Sequence, residues 1–109
     1  MDLKDYQKKA RKTAIYPNIG HNFIYPTLGL AGEAGEVAEK IKKCIRDNGG
    51  ILDEDRKKEL IKELGDVLWY ISNIASEINV SLDKIADQNI KKLHSRQSRR
   101  VLHGSGDNR

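Results

Sequence analysis

Two stretches of the sequence, Leu30–Ile41 (LAGEAGEVAEKI) and Leu60–Ile71 (LIKELGDVLWYI), repeat one pattern thirty residues apart. The repeat keeps apolar, glycine and acidic residues at matching positions, which are Leu30/Leu60, Glu33/Glu63, Gly35/Gly65, Glu36/Asp66, Val37/Val67 and Ile41/Ile71. Apolar residues at intervals of three and four predict an amphipathic helix for each stretch. We therefore expect two similar helices, each with an acidic pair beside its apolar face.

The acidic pairs lie on the flank of the apolar face. At ~100° per residue, the acidic positions fall roughly 80° and 140° from the centre of that face. If the two helices pack antiparallel, each presents an i, i+3 carboxylate pair, and Glu33, Glu36, Glu63 and Asp66 converge. Carboxylates crowded out of water repel one another unless a cation neutralises them. Because the set offers oxygen ligands only, Mg²⁺ or Mn²⁺ suits it better than zinc.

The alternative interpretation is that these acids are ordinary surface residues of solvated helices. The same spacing separates Asp2 from Asp5 and Glu36 from Glu39, so spacing alone is weak evidence for a metal site. The metal hypothesis depends on the recurrence of both repeat pairs in one hydrophobic register, whereas Glu39 falls on the face away from the core.

Capping residues and glycines predict where the helices begin and end. A helix is expected over about 28–47, because the sequence Asn-Gly-Gly follows at 48–50. Asp53 is a candidate N-cap for a second long helix that continues to about residue 78. Ser81 is a candidate N-cap for a further helix.

The remaining segments complete an all-α prediction. A short helix is expected over 3–13, and the segment 16–27, with two prolines and little periodicity, is expected to be an ordered loop. No pair of strands is evident, so the predicted fold is an antiparallel helical bundle in a single domain, 1–109. The broad apolar faces of the long helices predict that homo-oligomerisation completes the bundle.

Composition excludes several classes of protein. With 33% charged residues and no apolar run of membrane-spanning length, the chain is not expected to enter a membrane. Its polar amino-terminal segment lacks the features of a secretory signal, so we expect a cytoplasmic protein. The single cysteine, Cys44, has no second cysteine or nearby histidine and is expected to be a packing residue.

Positive charge is concentrated at the carboxyl-terminal end. The net charge is +4 overall, and residues 91–109 hold six basic residues against one acidic residue. A basic, flexible tail is expected from about residue 94. This end predicts an anionic partner, such as nucleic acid or nucleotide phosphate, or it is simply solvated. Binding of nucleic acid by a small helical module is thus an alternative function, although interleaved aromatics and a helix-turn-helix pattern are absent.

The same residues resemble a known family. The pattern Glu-x-x-Glu followed by Glu-x-x-Asp, at 33–36 and 63–66, resembles the MazG-like all-α nucleoside triphosphate pyrophosphohydrolases. The segments LGLAGEAGEVAEKIKK, ELGDVLWYI and NIKKLHSRQSRR are also similar to that family, and the resemblance covers about residues 25–100.

The resemblance implies an activity and its residues. It implies a homodimer or a dimer of dimers that uses Mg²⁺, with Mn²⁺ as a substitute. A nucleoside triphosphate would be cleaved between its α and β phosphates, giving the monophosphate and pyrophosphate. The metal ligands would be Glu33, Glu36, Glu63 and Asp66, one of which orients or deprotonates the attacking water. Many members have a glutamate where this chain has Gly32, which leaves the identity of the general base open.

Further substrate contacts are expected outside the acidic pairs. Asn89 and Lys92 lie in a stretch similar to the family's Asn-x-x-Lys segment, which implies contacts to sugar or phosphate. Arg96, one turn beyond Lys92, could add a forked donor for phosphate oxygens. The closing sequence GSGDNR either folds over a bound triphosphate or stays disordered.

Aromatic and basic residues near the acids are further candidates for substrate contacts. Tyr70, four residues after Asp66, could meet the sugar or base, or it could be a residue at the edge of the core. Lys40 could contact a phosphate or neutralise Glu36. His21 is a candidate contact to the base from the loop, with a plain surface role as the alternative. Trp69 is expected to pack against another helix or subunit, with nucleobase stacking second.

Overall fold

The structure, a computed structural model, describes all 109 residues and contains four helices and no strand. The helices are α1 (Leu3–Lys12), α2 (Ile24–Asn48), α3 (Glu54–Glu77) and α4 (Leu82–Ser98). The predicted all-α fold class is therefore confirmed. None of the four helices combines the length and the apolar character that crossing a membrane requires.

Side-chain caps fix three of the helix starts. The Asp2 carboxylate accepts a hydrogen bond from the Asp5 amide at 2.8 Å and so caps α1. Asp53 accepts from the Arg56 amide at 2.9 Å at the start of α3, and Ser81 caps α4. The two N-caps predicted from the sequence, Asp53 and Ser81, are therefore confirmed.

Helix α2 begins earlier than expected, so part of the predicted loop 16–27 is helical. It starts at Ile24 and includes Pro26 in its first turn, where the amide that proline lacks would have no helical partner. The Asn22 side chain accepts from the Tyr25 amide at 3.0 Å and supports this start. At the other end, Gly49 has a φ of 59°, the left-handed conformation that ends many helices.

Helices α2 and α3 form the main packing unit. The short connection 49–53 turns α3 back along α2, so the two long helices run antiparallel, as predicted. Helix α1 packs on α3, and the main helix contact of α4 is with α1. Because α4 extends to Ser98, the non-helical tail comprises residues 99–109 rather than starting near 94.

The core of a single chain is thin. Small residues such as Ala10, Ala75 and Cys44 are buried, whereas Leu28 is 69% exposed and Ile61 is 67% exposed. The radius of gyration is 16.7 Å, against about 13 Å for a compact chain of this size. Much apolar helix surface therefore remains for a partner to cover.

A buried carboxylate ties the amino-terminal third of the chain to the end of α3. The Glu77 side chain is fully buried and accepts hydrogen bonds from the Arg11 guanidinium and from the Tyr16 hydroxyl at 2.7 Å. It also accepts from the backbone amides of Gly20 and Asn22, at 2.8 and 2.6 Å. Burial alone would raise the pKa of Glu77, but these hydrogen bonds outweigh burial and lower that pKa to about 2.

We expect Glu77 to make stability fall in acid. Its pKa of about 2 in the folded protein lies below the ordinary 4.5, so this contribution is complete above pH 4.5 and disappears as the pH falls towards 2. The loss should amount to about 3 kcal/mol in the free energy of unfolding. Urea unfolding between pH 7 and pH 2 measures it.

Glu77→Gln should remove most of this pH dependence, because the neutral side chain does not titrate. Glu54→Gln is the control, since its carboxylate is 81% exposed and accepts only from Lys57. An unchanged pH dependence in Glu77→Gln would contradict the assignment.

Candidate functional site

Three carboxylates from α2 and α3 come together on the flank of the hairpin. Glu33, Glu63 and Asp66 each offer an oxygen, and these oxygens lie within 4.8 Å of one another. Oxygens on opposite sides of one Mg²⁺ ion would be about 4 Å apart. The three side chains, which we call the carboxylate cluster, therefore match the size and donor chemistry of a hard divalent cation.

The electrostatics of the cluster fit a cation site. Burial raises the pKa of Glu33, and the charges of Asp66, Glu63 and Glu36 raise it further, as does a hydrogen bond with Glu63. The same repulsion would turn into attraction towards a shared cation. Both Glu33 and Glu63 are half-buried, whereas Asp66 is exposed and leaves the cluster open to solvent.

Glu36, the fourth predicted ligand, lies outside the carboxylate cluster. Its side chain is exposed, although its charge is near enough to raise the pKa of Glu33. The structure thus brings together three of the four predicted acids.

Lys40 lies at the edge of the cluster and pairs across the hairpin. Its ammonium nitrogen is 3.9 Å from a carboxylate oxygen of Glu63 and 3.8 Å from one of Glu59. Both ion-pair partners of Lys40 therefore lie on α3. The structure does not support the interpretation that Lys40 neutralises Glu36. This position leaves Lys40 beside the acids, where an anionic substrate group would meet it.

An aromatic cluster adjoins the acids. Tyr25 stacks on Tyr16 with ring centroids 5.0 Å apart, and Trp69 meets Tyr16 edge-on at 6.5 Å and Tyr70 edge-on at 5.0 Å. The Trp69 indole also donates to the Thr13 hydroxyl at 2.7 Å. Trp69 thus packs within the chain, against the segment that follows α1.

Gly29 allows Tyr70 to lie beside the acids. A Cβ atom at residue 29 would be only 2.1 Å from the Tyr70 ring. Burial raises the pKa of Tyr70, and the charges of Tyr25, Glu33 and Asp66 raise it further. Tyr70 is therefore on the same flank as the acids, as predicted.

The other helix glycines do not have this role within the chain. A Cβ atom added at Gly32, Gly35 or Gly65 would meet nothing within 4 Å. These three positions are exposed on the hairpin. The close approach in this structure is thus between Gly29 and an aromatic ring, a pairing that helical periodicity alone does not reveal.

Helix α1 adds a tyrosine that sequence reasoning missed. Burial raises the pKa of Tyr6, and the charge of Asp66 raises it further. This effect depends on how α1 docks on α3, which no local sequence pattern specifies.

The predicted residues of α4 lie apart from the acids. Asn89 and Lys92 line an open groove of about 410 Å³ that includes none of the clustered carboxylates. Arg96 is buried, and its guanidinium donates to the Asp107 backbone carbonyl at 2.5 Å and to the Asp107 carboxylate at 3.2 Å. The tail thus engages one nitrogen of the Arg96 guanidinium, whereas the buried Nε has no partner, so a contact from Arg96 to phosphate stays a prediction.

The remaining candidate, His21, lies in the loop before α2. Its side chain is exposed, and its backbone amide donates to the Asn18 carbonyl at 2.9 Å. Glu77 holds the neighbouring residues Gly20 and Asn22, which fixes the position of this part of the loop.

Comparison with known proteins places this geometry in a family. The family model for the MazG nucleotide pyrophosphohydrolase domain matches residues 25–101, most of the chain. The chain belongs to the MazG family. A curated relative of this MazG chain, "Gene 37 protein" of Mycobacterium phage L5, is 44% identical over 114 residues and is matched over the full length of both proteins. No solved structure matches.

The family match covers the residues of the cluster. The match includes α2 from its second residue, α3 and α4, whereas α1 and the loop up to residue 23 precede it. The MazG family is typically metal-dependent, which agrees with the donor chemistry of the carboxylate cluster. Tyr6 and Arg11 of α1 lie outside the matched range. Tyr6 is affected by the charge of Asp66, and Arg11 donates to the buried Glu77.

We expect Gly29→Ala to displace Tyr70 and destabilise the MazG domain. The added methyl group would overlap the ring, and overpacking of this kind costs about 1–3 kcal/mol. Urea unfolding measures the loss, and fluorescence of Trp69, which touches Tyr70, reports the displacement.

Gly32→Ala is the matched control, because its methyl group would enter open space in the same helix. It should stabilise the protein by up to about 1 kcal/mol. Equal stabilities for the two variants would contradict the proposed packing of Tyr70 on Gly29.

Proposed function

We propose that the protein is an Mg²⁺-dependent nucleoside triphosphate pyrophosphohydrolase. It would cleave an NTP or dNTP between the α and β phosphates and release the monophosphate and pyrophosphate. The observation that carries the proposal is the convergence of Glu33, Glu63 and Asp66 from two helices of a MazG domain. Such an activity would serve sanitation of the nucleotide pool or control of dNTP levels.

The metal ligands would be Glu33, Glu36, Glu63 and Asp66. Glu36 is exposed and one turn from Glu33, so a change of side-chain rotamer would bring its carboxylate towards the cluster. Mg²⁺, or Mn²⁺ in its place, would neutralise phosphate oxygens and lower the pKa of a bound water. One of the four carboxylates would then accept the proton of the attacking water, since Gly32 supplies no acid.

Substrate contacts would come from both sides of the cluster. Lys40 would bind a phosphate oxygen, and Tyr70 would contact the sugar or base, because both lie beside the acids. His21 would contact the base from the loop that Glu77 holds in place.

The groove of α4 requires a second subunit in this proposal. Asn89 and Lys92 lie apart from the acids of their own chain, so they would reach the phosphates bound by another copy. The exposed apolar residues of the hairpin support a homodimer or homotetramer. Arg96, bonded to Asp107 through Nη2, would hold the tail beside Lys92, and its remaining donors would contact a phosphate oxygen.

The structure does not favour the alternative of nucleic-acid binding through the tail. Arg96 and Arg109 each donate to a backbone carbonyl of the tail, and the Arg99 guanidinium donates to the Arg109 carbonyl. Fewer cations are therefore free for a phosphate backbone than the sequence indicates.

Hydrolysis of a panel of NTPs and dNTPs with Mg²⁺ tests the proposal. We expect nucleoside monophosphate and pyrophosphate as products. Glu63→Gln and Asp66→Asn should each lower kcat at least about 100-fold, the upper end of what loss of an outer-shell partner costs a metal site. Release of single orthophosphate would contradict the proposed bond cleavage.

Glu39→Gln is the matched control for these two variants. Glu39 is also a helix glutamate, but it pairs with Lys42 and Lys43 on its own helix and lies outside the cluster. Its activity should match that of the original protein, and circular dichroism should show that all three variants keep their helices.

A separate titration tests Glu36 as a ligand. If its carboxylate joins the bound cation, Glu36→Gln should weaken Mg²⁺ binding at least about 10-fold, whereas Glu39→Gln should leave it unchanged. Isothermal titration of the nucleotide-free protein measures both affinities. Unchanged binding in Glu36→Gln would restrict the site to the three clustered carboxylates.

A further inference from the structure

A small cavity lies between the carboxylate cluster and the closed end of the α2–α3 hairpin, and Lys40 lines it. It has a volume of about 140 Å³ and is bounded by the last turns of α2, the connection and the first turns of α3. Ile41, Leu52 and Leu60 form its apolar wall. The volume is well below the ~300 Å³ of small sites for drug-sized ligands, so the cavity suits a ligand about the size of one phosphate group.

The charged residues around this cavity are mainly cationic. Lys40, Lys43 and Arg56 line it, and Glu59 is the single acid among the lining residues. The Lys40–Glu59 and Lys43–Glu39 separations are 3.8 and 3.6 Å, longer than the ~2.7–2.9 Å of a charge-assisted hydrogen bond. These pairs therefore leave donor capacity that a better-placed anion could use.

Arg56 makes the strongest case for a ligand. The residue is half-buried, and its backbone amide is bonded to the Asp53 cap at 2.9 Å. Its guanidinium forms no hydrogen bond and no ion pair within 4 Å, although its charge helps to lower the pKa of Asp47. A guanidinium offers five N–H donors in a planar fork that matches the oxygens of phosphate. The apolar wall would strengthen such an interaction, because it reduces screening by water.

We propose that this cavity binds a phosphate-class oxyanion, either inorganic phosphate or one phosphoryl group of pyrophosphate. The Arg56 fork would bind two oxygens, and Lys40 and Lys43 would approach from α2. The site shares Lys40 with the edge of the carboxylate cluster, but none of the three clustered carboxylates lines it, and binding there does not require the proposed hydrolysis.

Titration calorimetry on the full-length, metal-free protein in EDTA tests the proposal, with inorganic phosphate in one series and pyrophosphate in another. We expect saturable binding of one anion per chain for at least one of the two. Arg56→Gln should weaken it at least about 10-fold, because a hydrogen bond to a charged group is worth about 1.5–3 kcal/mol. Lys43→Gln, on the other helix, should weaken it as well.

Arg46→Gln is the matched control. Arg46 lies at the same end of the hairpin but is exposed, pairs with Asp47 at 2.7 Å and does not line the cavity. Its affinity should stay within about twofold, given that exposed pairs contribute little. Absence of saturable binding of both anions would overturn the proposal. Equal weakening by Arg46→Gln and Arg56→Gln would also overturn it, as would binding lost in Lys92→Gln but retained in Arg56→Gln.

Because the experiment contains neither divalent metal nor nucleotide, its outcome is independent of the proposed hydrolase activity. A negative result would remove the anion site alone. Conversely, if the nucleotide assay showed no hydrolysis, the phosphate site would still be tested by the binding measurements on these variants.

Discussion

Repulsion among carboxylates across the α2–α3 contact is the constraint on which the site depends. Antiparallel packing buries the apolar faces of the hairpin, and the same packing brings Glu33 of one helix within 4.8 Å of Glu63 and Asp66 of the other. This proximity makes ionisation of Glu33 unfavourable, and its pKa is raised first by burial and further by the neighbouring charges. A divalent cation would convert this cost into binding energy, because the same charges would then attract a common ion.

The rest of the fold holds this contact in place from one side. Glu77 collects hydrogen bonds from α1 and the following loop, so the chain before α2 is fixed against the end of α3. The aromatic cluster continues that contact towards the acids, where Tyr70 lies over Gly29. The opposite side of the hairpin has no such cover in a single chain, and exposed residues such as Ile61 are available to a second copy.

The sequence allowed prediction of the helices and of the acidic residues between them, because both follow helical periodicity. It misplaced the start of α2, since two prolines and little periodicity in 16–27 are typical of a loop, although a proline is tolerated in the first turn of a helix. It missed the burial of Glu77, whose partners are 55 to 66 residues away, as well as the role of Gly29. It also missed the bond from Arg96 to Asp107, which depends on how the tail folds. Contacts between distant segments are thus what a local pattern does not specify.

The central claim is that the carboxylate cluster binds a divalent cation. A crystal soaked in Mn²⁺ tests it most directly, because anomalous scattering locates that ion without reference to the protein coordinates. The account predicts an anomalous peak within about 2.0–2.4 Å of oxygens from Glu33, Glu63 and Asp66. It would be contradicted by the absence of a peak in crystals that keep the three carboxylates together.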